Sequence, residues 1–449
     1  MIKFLNGVSA ETTPTNYILI VRIPVSRADF SLIQKFVTVI LIMETKEFDI
    51  TFDNPWATYY VGGTVAGQLM LNLDAPKKIK DISIKIKGEA EVKWSELETV
   101  KDSTGNDETR EVEYTSSEKY FENSFVVLSG GDEIILPAGS HAYNFSAQLP
   151  ESLPSSFESQ FGYVRYTVKA IIGIPWKFDQ ECKSAFTVIS PLDLNKVPEK
   201  KFVGFLCCRS GPISATLQVP VSGFVSGQTI PVSLEIENMS EKNTEPGFCT
   251  LLKIVSYKSD YPSVYTKYDK TNITEIKLGV VGAHSSNKWT ENLIVPALPP
   301  SNLKNCKIMD VKYEIKVDVS IPGLFYRGLH FKAPIIFGTV PLAAPPSAPP
   351  AGIVDGIIPV KDGKTEPSSN GTGIGWNFGQ DNKNGLYPSI PSPTFEEALI
   401  TSDTNINIRD KDDSEHTVIT GGFLPRYPTY NLTIQTTNHS NNDNNDTLF

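Results

Sequence analysis

Asp81-Ile82-Ser83-Ile84-Lys85-Ile86-Lys87-Gly88-Glu89-Ala90-Glu91-Val92-Lys93-Trp94 is the stretch whose reading decides the fold. Ile82, Ile84, Ile86, Ala90, Val92 and Trp94 keep one parity across Gly88, while Lys85, Lys87, Glu89, Glu91 and Lys93 take the other. Successive side chains of a strand point to opposite faces, so this pattern predicts a half-buried antiparallel strand. The same period recurs at Val65, Leu69, Leu71 and Leu73, at Val164, Tyr166, Val168 and Ala170, at Ile230, Val232, Leu234 and Ile236, and at Val311, Tyr313, Ile315, Val317 and Val319. No long stretch carries an equally good 3.6-residue period.

Turn signals separate these strands at short intervals: Asp53-Asn54-Pro55, Gly62-Gly63, Gly130-Gly131-Asp132 and Pro322-Gly323. That is the punctuation of β-sandwiches, not of βαβ units. A chain of 449 residues also exceeds what one core sustains, roughly 250–300 residues, so at least two folded units are expected. The strands fall into two batches of about 140 residues, a usual domain size. Residues 190–201 between them lack alternation and read as a linker. The expected organisation is an N-terminal extension over 1–46, a first sandwich over 47–190, a linker over 191–204, a second sandwich over 205–340, and a tail over 341–449.

The tail differs in composition. It holds six Lys and Arg against thirteen Asp and Glu, a net of −7 out of the total of −10, which leaves the body at −3. A nearly neutral body with an acidic tail argues against nucleic-acid binding, which needs a basic face. Runs such as Pro345-Pro346-Ser347-Ala348-Pro349-Pro350, with the Asn-, Ser- and Asp-rich stretches beyond, cannot bury enough apolar surface to offset ordering entropy. A disordered tail with short apolar islands is expected. Residues 96–119, rich in charged and hydroxyl groups around Gly105-Asn106-Asp107, read as a solvated, mobile hairpin loop. The apolar-rich runs 17–25 and 36–43 are too short to span a bilayer, which takes about 20 residues, and lack the flanks of a signal peptide; β-type segments or a poorly folding extension are expected there.

Five cysteines, an odd number with no C-x-x-C pair, read as reduced thiols, and Cys207-Cys208 as strand or linker positions. Catalysis needs titratable or nucleophilic groups gathered in one place, whereas His141, His284, His330, His416 and His439 are scattered singly. No nucleophile elbow, H-E-x-x-H helix or P-loop occurs, and Gly371-Thr372-Gly373-Ile374-Gly375 lacks a preceding strand. No enzyme, cofactor or metal site is expected. Asp53 and Asn54 read as turn residues and Trp176 as a packing residue. Lys77, Lys78 and Lys80, and separately Lys196, Lys200 and Lys201, are small basic clusters that read as solvated faces, with anionic lipid or phosphorylated partners as the alternative.

Several strings resemble the α-arrestins, the arrestin domain-containing family. They are Phe48-Asp49-Ile50-Thr51-Phe52-Asp53-Asn54-Pro55, Lys87-Gly88-Glu89-Ala90 with Trp94, Leu136-Pro137-Ala138-Gly139-Ser140-His141, Leu153-Pro154-Ser155-Ser156-Phe157-Glu158, Gly162-Tyr163-Val164-Arg165-Tyr166, Pro175-Trp176-Lys177-Phe178-Asp179 and Ser210-Gly211-Pro212-Ile213. The resemblance covers about residues 46–340 in the family's order. It implies an all-β protein of two tandem arrestin-type, immunoglobulin-like sandwiches. It further implies an adaptor between membrane cargo, receptors or transporters, and HECT-class ubiquitin ligases, cytoplasmic and recruited peripherally to plasma membrane and endosomes. An arrestin-fold scaffold or coat-like subunit that recruits no ligase is the alternative.

In that family the ligase contact is usually a tail P-P-x-Y motif, whose prolines pre-form a polyproline helix for the aromatic groove of a WW domain. This chain has no strict P-P-x-Y. Ser392-Pro393-Thr394-Phe395-Glu396-Glu397-Ala398 stands where relatives carry it, so Pro393 and Phe395 form a degenerate, weakened motif. Leu424-Pro425-Arg426-Tyr427, overlapping Pro428-Thr429-Tyr430, is an L-P-x-Y variant, and Leu424, Pro425, Tyr427, Pro428 and Tyr430 are the candidate WW-domain contact. The tail lysines Lys361, Lys364, Lys383 and Lys411 are candidate ubiquitin acceptors.

Overall fold

The computed structural model describes residues 9–13, 16–20, 48–101, 103–196, 204–210, 212–323, 328–342, 392–399, 406–420 and 422–431. The chain divides into two units, Met1–Glu47 and Phe48–Phe449. In the first, Ser9–Thr13 and Asn16–Ile20 pair as an antiparallel hairpin, a β-type segment as the sequence suggests; the run 36–43 lies outside the described residues.

The second unit is built from strands throughout. In its first sandwich, Phe48–Phe52, Thr64–Leu73 and Gly139–Gln148 form a three-stranded antiparallel sheet. It faces a larger sheet in which Gln180–Ile189, Gly162–Gly173, Lys77–Lys101 and Asp107–Leu136 lie in that order. The parity read from sequence is the parity of the core: Ile82, Ile84, Ile86, Ala90, Val92 and Trp94 are all buried, packed with Val65, Leu69 and Leu71 of the opposite sheet. Gly88 keeps the period because nothing larger fits. A Cβ there would sit 2.6 Å from the Tyr166 ring and 2.7 Å from that of Phe121.

The second sandwich packs a four-stranded sheet against a five-stranded one. The first is Gly204–Ser210, Ile213–Val219, Thr229–Asn238 and Ser285–Ile294. The other runs Gly223–Val225, Leu329–Gly338, Met309–Val319, Phe248–Lys258 and Thr266–Lys277. Cys207 and Cys208 lie in a strand. The expected linker includes a short 3-10 turn, Leu194–Lys196, with Leu194 buried and Asp193 bridged to Val340.

Three expectations change. Residues 96–119 are not a mobile loop: the ladder continues to Lys101 opposite Asp107, and this long hairpin reaches the second sandwich. There Thr115 pairs with Tyr261, Lys267 bonds Glu96 at 2.6 Å, and Trp94 stacks on Tyr114, which meets Tyr265. Contact with a second domain supplies the burial that the polar composition hides. Trp176 does not pack: it stands 98% exposed at a hairpin tip beside exposed Phe178. The tail, expected to be disordered with apolar islands, places 392–399, 406–420 and 422–431 on the body, while 343–391 and 432–449 lie outside the described residues. Lys361, Lys364 and Lys383 and the glycine run 371–375 fall there too.

Candidate functional site

The polar face of the large sheet carries four lysines in adjoining register. Lys169 stands opposite Lys85 on one neighbouring strand and Lys183 on the other, and Lys87 lies one pair along, opposite Thr167. Alternation dictates this: each is one residue out of phase with a core position. Like charges about 4 Å apart repel by about 1 kcal/mol in water and roughly 4 kcal/mol near a protein surface, so such a face requires anions.

The tail supplies them. Lys183 Nζ donates to Asp410 Oδ2 and Asp413 Oδ2, each at 2.7 Å. Lys87 reaches Asp412 at 2.8 Å and Asp410 at 3.3 Å. Lys169 bonds the Asp412 carbonyl at 2.7 Å and stands 3.2 Å from Asp413 Oδ1, and Lys85 lies 3.4 Å from Asp412. The acidic turn holds its own shape: Arg409 donates to the carbonyls of Ser414 and Thr417, and Asp410 accepts from the Asp412 amide. Thr417–Ile419 then adds a parallel strand to the edge of Gln180–Ile189, and Thr417 and Ser414 hydroxyls donate to Glu181. Lys183 is only 1% exposed.

The electrostatics follow from these contacts. Burial alone would raise the Asp410 carboxyl, but hydrogen bonding and charge from Lys183 hold it well below the ordinary carboxylate range. The hydrogen bond from Lys87 depresses Asp412. Burial opposes charge on Lys87, yet its bonds to Asp412 and Glu89 raise its pKa above the usual lysine value. Glu181, raised by burial, is brought down by Thr417 and Lys169.

A second contact joins the tail to both sandwiches. Thr394–Glu397 pairs antiparallel with Arg426–Thr429, so Phe395 lies opposite Pro428 and Glu396 opposite Tyr427. The degenerate motif of Pro393 and Phe395 and the L-P-x-Y variant thus form one ribbon. Tyr427, 1% exposed, packs with Ile189 and Ala398, and its hydroxyl donates to the Ser156 carbonyl at 2.9 Å. Tyr430, also 1% exposed, packs with Leu194 and Val225, and its hydroxyl donates to the Thr339 carbonyl at 2.7 Å. Burial raises both phenols. The Arg426 amide donates to Thr187 of the first sandwich, and those of Leu399 and Tyr430 to Ala297 and Ser226 of the second.

Gly227 shapes the seat of Tyr430. Its φ is +84°, a left-handed conformation that glycine adopts freely, and a Cβ would meet the Tyr430 carbonyl at 2.5 Å.

Two family profiles cover most of this body: the N-terminal domain of arrestin (or S-antigen) matches residues 48–195 and its C-terminal domain residues 209–342. Arrestin domain-containing protein 17 of Caenorhabditis elegans is 31% identical over 326 residues, 67% of this chain and 72% of that protein. The chain belongs to the arrestin domain-containing family. Human arrestin domain-containing protein 1 is 30% identical over 341 residues, 72% of this chain and 74% of its own, and mouse arrestin domain-containing protein 4 is 27% identical over 303 residues.

For this arrestin domain-containing chain the structure brings the sequence-expected residues together, though not in an open site. Tyr427, Pro428 and Phe395 meet in one ribbon, and Pro393 lies in the described segment preceding it. Leu424 and Pro425 run along it, the Pro425 carbonyl accepting from the Ala398 amide. Asp53 and Asn54 act as turn residues: Asn54 accepts from the Trp56 amide and Asp53 from the Tyr59 hydroxyl. Lys77 bonds Gln180 and Lys78 pairs with Glu133. Lys411 is exposed. The lysine face was not anticipated, although Lys85, Lys87 and Lys169 occupy the polar phase of strands read from the sequence; Lys183 lies on Gln180–Ile189, which that reading did not single out. Among the described residues no helix is long and apolar enough to cross a membrane.

Proposed function

We propose that this chain is a trafficking adaptor that joins membrane receptors or transporters to HECT-class ubiquitin ligases and endocytic sorting, acting by binding and not by catalysis. The observation that carries the reading is the lysine face and the strand edge beside it, which together hold an acidic turn and a short added strand of the same chain. A surface that adds a strand by backbone pairing and reads carboxylates through lysines is a peptide-recognition surface, suited to a cytoplasmic segment of a cargo protein. The paired arrestin domains and the relatives' names support an adaptor. The ligase arm rests on Leu424-Pro425-Arg426-Tyr427 with Pro428 and Tyr430. Recruitment to plasma membrane and endosomes follows from the cargo.

The test is the surface level and ubiquitination of co-expressed receptors and transporters, with the full chain or its Pro425→Ala variant. The reading expects at least one cargo to be ubiquitinated and internalised with the chain and not with the variant. No cargo responding to either would overturn it. The burial of Tyr427 and Tyr430 favours one second reading, a scaffold that recruits no ligase. Cargo internalised equally with the chain and the variant would select it.

A further inference from the structure

The far end of the first sandwich carries the most exposed large apolar side chain among the described residues. Gly162 opens its strand beside Met309 of the second sandwich, so Gly173, at the other end of that strand, lies away from it. Between Gly173 and Gln180 the chain turns through Ile174-Pro175-Trp176-Lys177-Phe178-Asp179. Trp176 is 98% exposed and Phe178 79%. The turn is held in shape: the Ile174 amide donates to Asp179 Oδ1 at 3.2 Å, the Lys177 amide to the Ile174 carbonyl at 3.5 Å, and the Phe178 ring lies 5.1 Å from that of His416. Trp176 has a φ of +60°, a left-handed conformation that a bulky residue adopts only against strain. Glycine would hold this turn freely, so neither packing nor turn chemistry accounts for an indole here.

Cations flank the rings. Lys177 stands between them in the chain, Lys80 precedes Asp81, the partner of Gly173, and Lys77 donates to Gln180 at the foot of the turn. Among the described residues neither Lys80 nor Lys177 has a carboxylate partner, whereas two nearby acids are engaged, Asp179 with the Ile174 amide and Glu133 with Lys78. Rings on a projecting tip have no concavity of their own, so they need a partner that supplies an apolar interior, and the lysines beside them need anions. A bilayer offers both in layers. Tryptophan settles at the level of the headgroups, and lysines meet anionic headgroups while their stems lie along apolar surface.

We propose that Trp176-Lys177-Phe178 is a membrane anchor: both rings enter the interfacial layer of a bilayer, and Lys80 and Lys177 face anionic lipid headgroups. The inference goes beyond the adaptor reading, because recruitment through cargo needs no lipid contact and this contact needs no cargo. The chain's net charge of −10 repels an anionic surface, so the attraction comes from this local patch, within a Debye length of about 8 Å at physiological ionic strength. A single small anchor binds reversibly, and it adds to a cargo contact instead of replacing one.

Co-sedimentation of the full chain with vesicles, in the absence of cargo and ligase, tests this with phosphatidylcholine alone and with phosphatidylcholine mixed with phosphatidylserine. The anchor predicts binding to the mixed vesicles that is weakened roughly tenfold or more by Trp176→Ser/Phe178→Ser, at an unchanged melting temperature. Lys80→Gln and Lys177→Gln should each weaken it about fivefold. Brominated acyl chains should quench the emission of the wild-type chain more than that of the Trp176→Phe chain, which separates insertion from attraction by charge alone. Absence of binding to the mixed vesicles, or binding that the aromatic double substitution leaves unchanged, would overturn the proposal. A double variant that binds vesicles like the wild type yet fails to internalise cargo in the co-expression assay would make the tip a protein contact instead. Failure of vesicle binding leaves the adaptor reading standing, and failure of the adaptor reading leaves the vesicle result as predicted.

Discussion

Replacing Glu158 by Gln removes one charge of an enclosed pair and leaves the other. Arg165 donates from Nε to Glu158 Oε1 at 2.7 Å and from Nη2 to Oε2 at 2.8 Å, and both residues are buried. The remaining nitrogen donates to the Asn407 carbonyl of the tail at 3.2 Å, and the guanidinium lies 3.9 Å over the Tyr163 ring. An amide in place of the carboxylate keeps the shape and leaves the guanidinium without its counter-charge. Breaking such a pair on one side costs about 3–5 kcal/mol, against a total stability of roughly 5–15 kcal/mol for a domain. Each kcal/mol lowers the Tm of a domain of this size by about 2–4 °C, so a fall of roughly 6–20 °C is expected by calorimetry. A fall under about 2 °C would mean that water compensates Arg165 and that the pair is not the enclosed element described.

Three further outcomes follow from the same geometry. Gly88→Ala forces its methyl group against Tyr166 and Phe121, and should lower stability by about 1–3 kcal/mol in denaturant titration; a neutral result would contradict the packing there. Trp176→Ser should change stability by less than about 0.5 kcal/mol in the same titration, because the indole touches solvent; a larger loss would mean that the ring packs. Tail docking should be flat from neutral pH to about pH 9 when followed by energy transfer between dyes on tail and body; below neutral pH Glu89 takes up a proton first, since burial and Asp410 raise its carboxyl. Asp410, Asp412 and Glu181 are depressed, so their contribution is present above the ordinary carboxylate pKa of about 4 and lost only as pH falls through their lower folded values. Lys87 is raised, so its contribution is lost only above the ordinary lysine value of about 10.4. Release between neutral pH and about pH 9 would show that another group governs the contact.

The strands were legible because one face of each meets a core, and burial enforces the period of two. Ile82 to Trp94 show this across Gly88, which breaks the apolar series but not the phase. The tail contacts were not legible for the opposite reason. Asp410, Asp412 and Asp413 are as polar as any solvated residue, and only their partners, over 200 residues away in the chain, turn them into a contact. Tyr427 and Tyr430 stood out through their prolines, a local signal, whereas their burial depends on Ile189, Leu194 and Val225, which no local pattern connects to them. Residues 96–119 misled in the same way, since their polar composition suits solvent and the second sandwich is distant in sequence. Lys85, Lys87 and Lys169 could have been found by aligning the polar phases of two strands read from the sequence, had their pairing been known, whereas Lys183 lies on a strand that showed no such alternation in the reading.

The claim that joins fold to function is that the tyrosine motif of the tail, once free, is a ligase contact. Titration of a synthetic peptide of residues 421–433 with WW domains of HECT-class ligases, beside a peptide carrying Tyr427→Ala and Tyr430→Ala, tests it without the body present. The account predicts micromolar binding that the double substitution abolishes. Binding by neither peptide would contradict the ligase arm and leave an arrestin-fold scaffold whose tail serves only to cover the lysine face and bridge the two sandwiches.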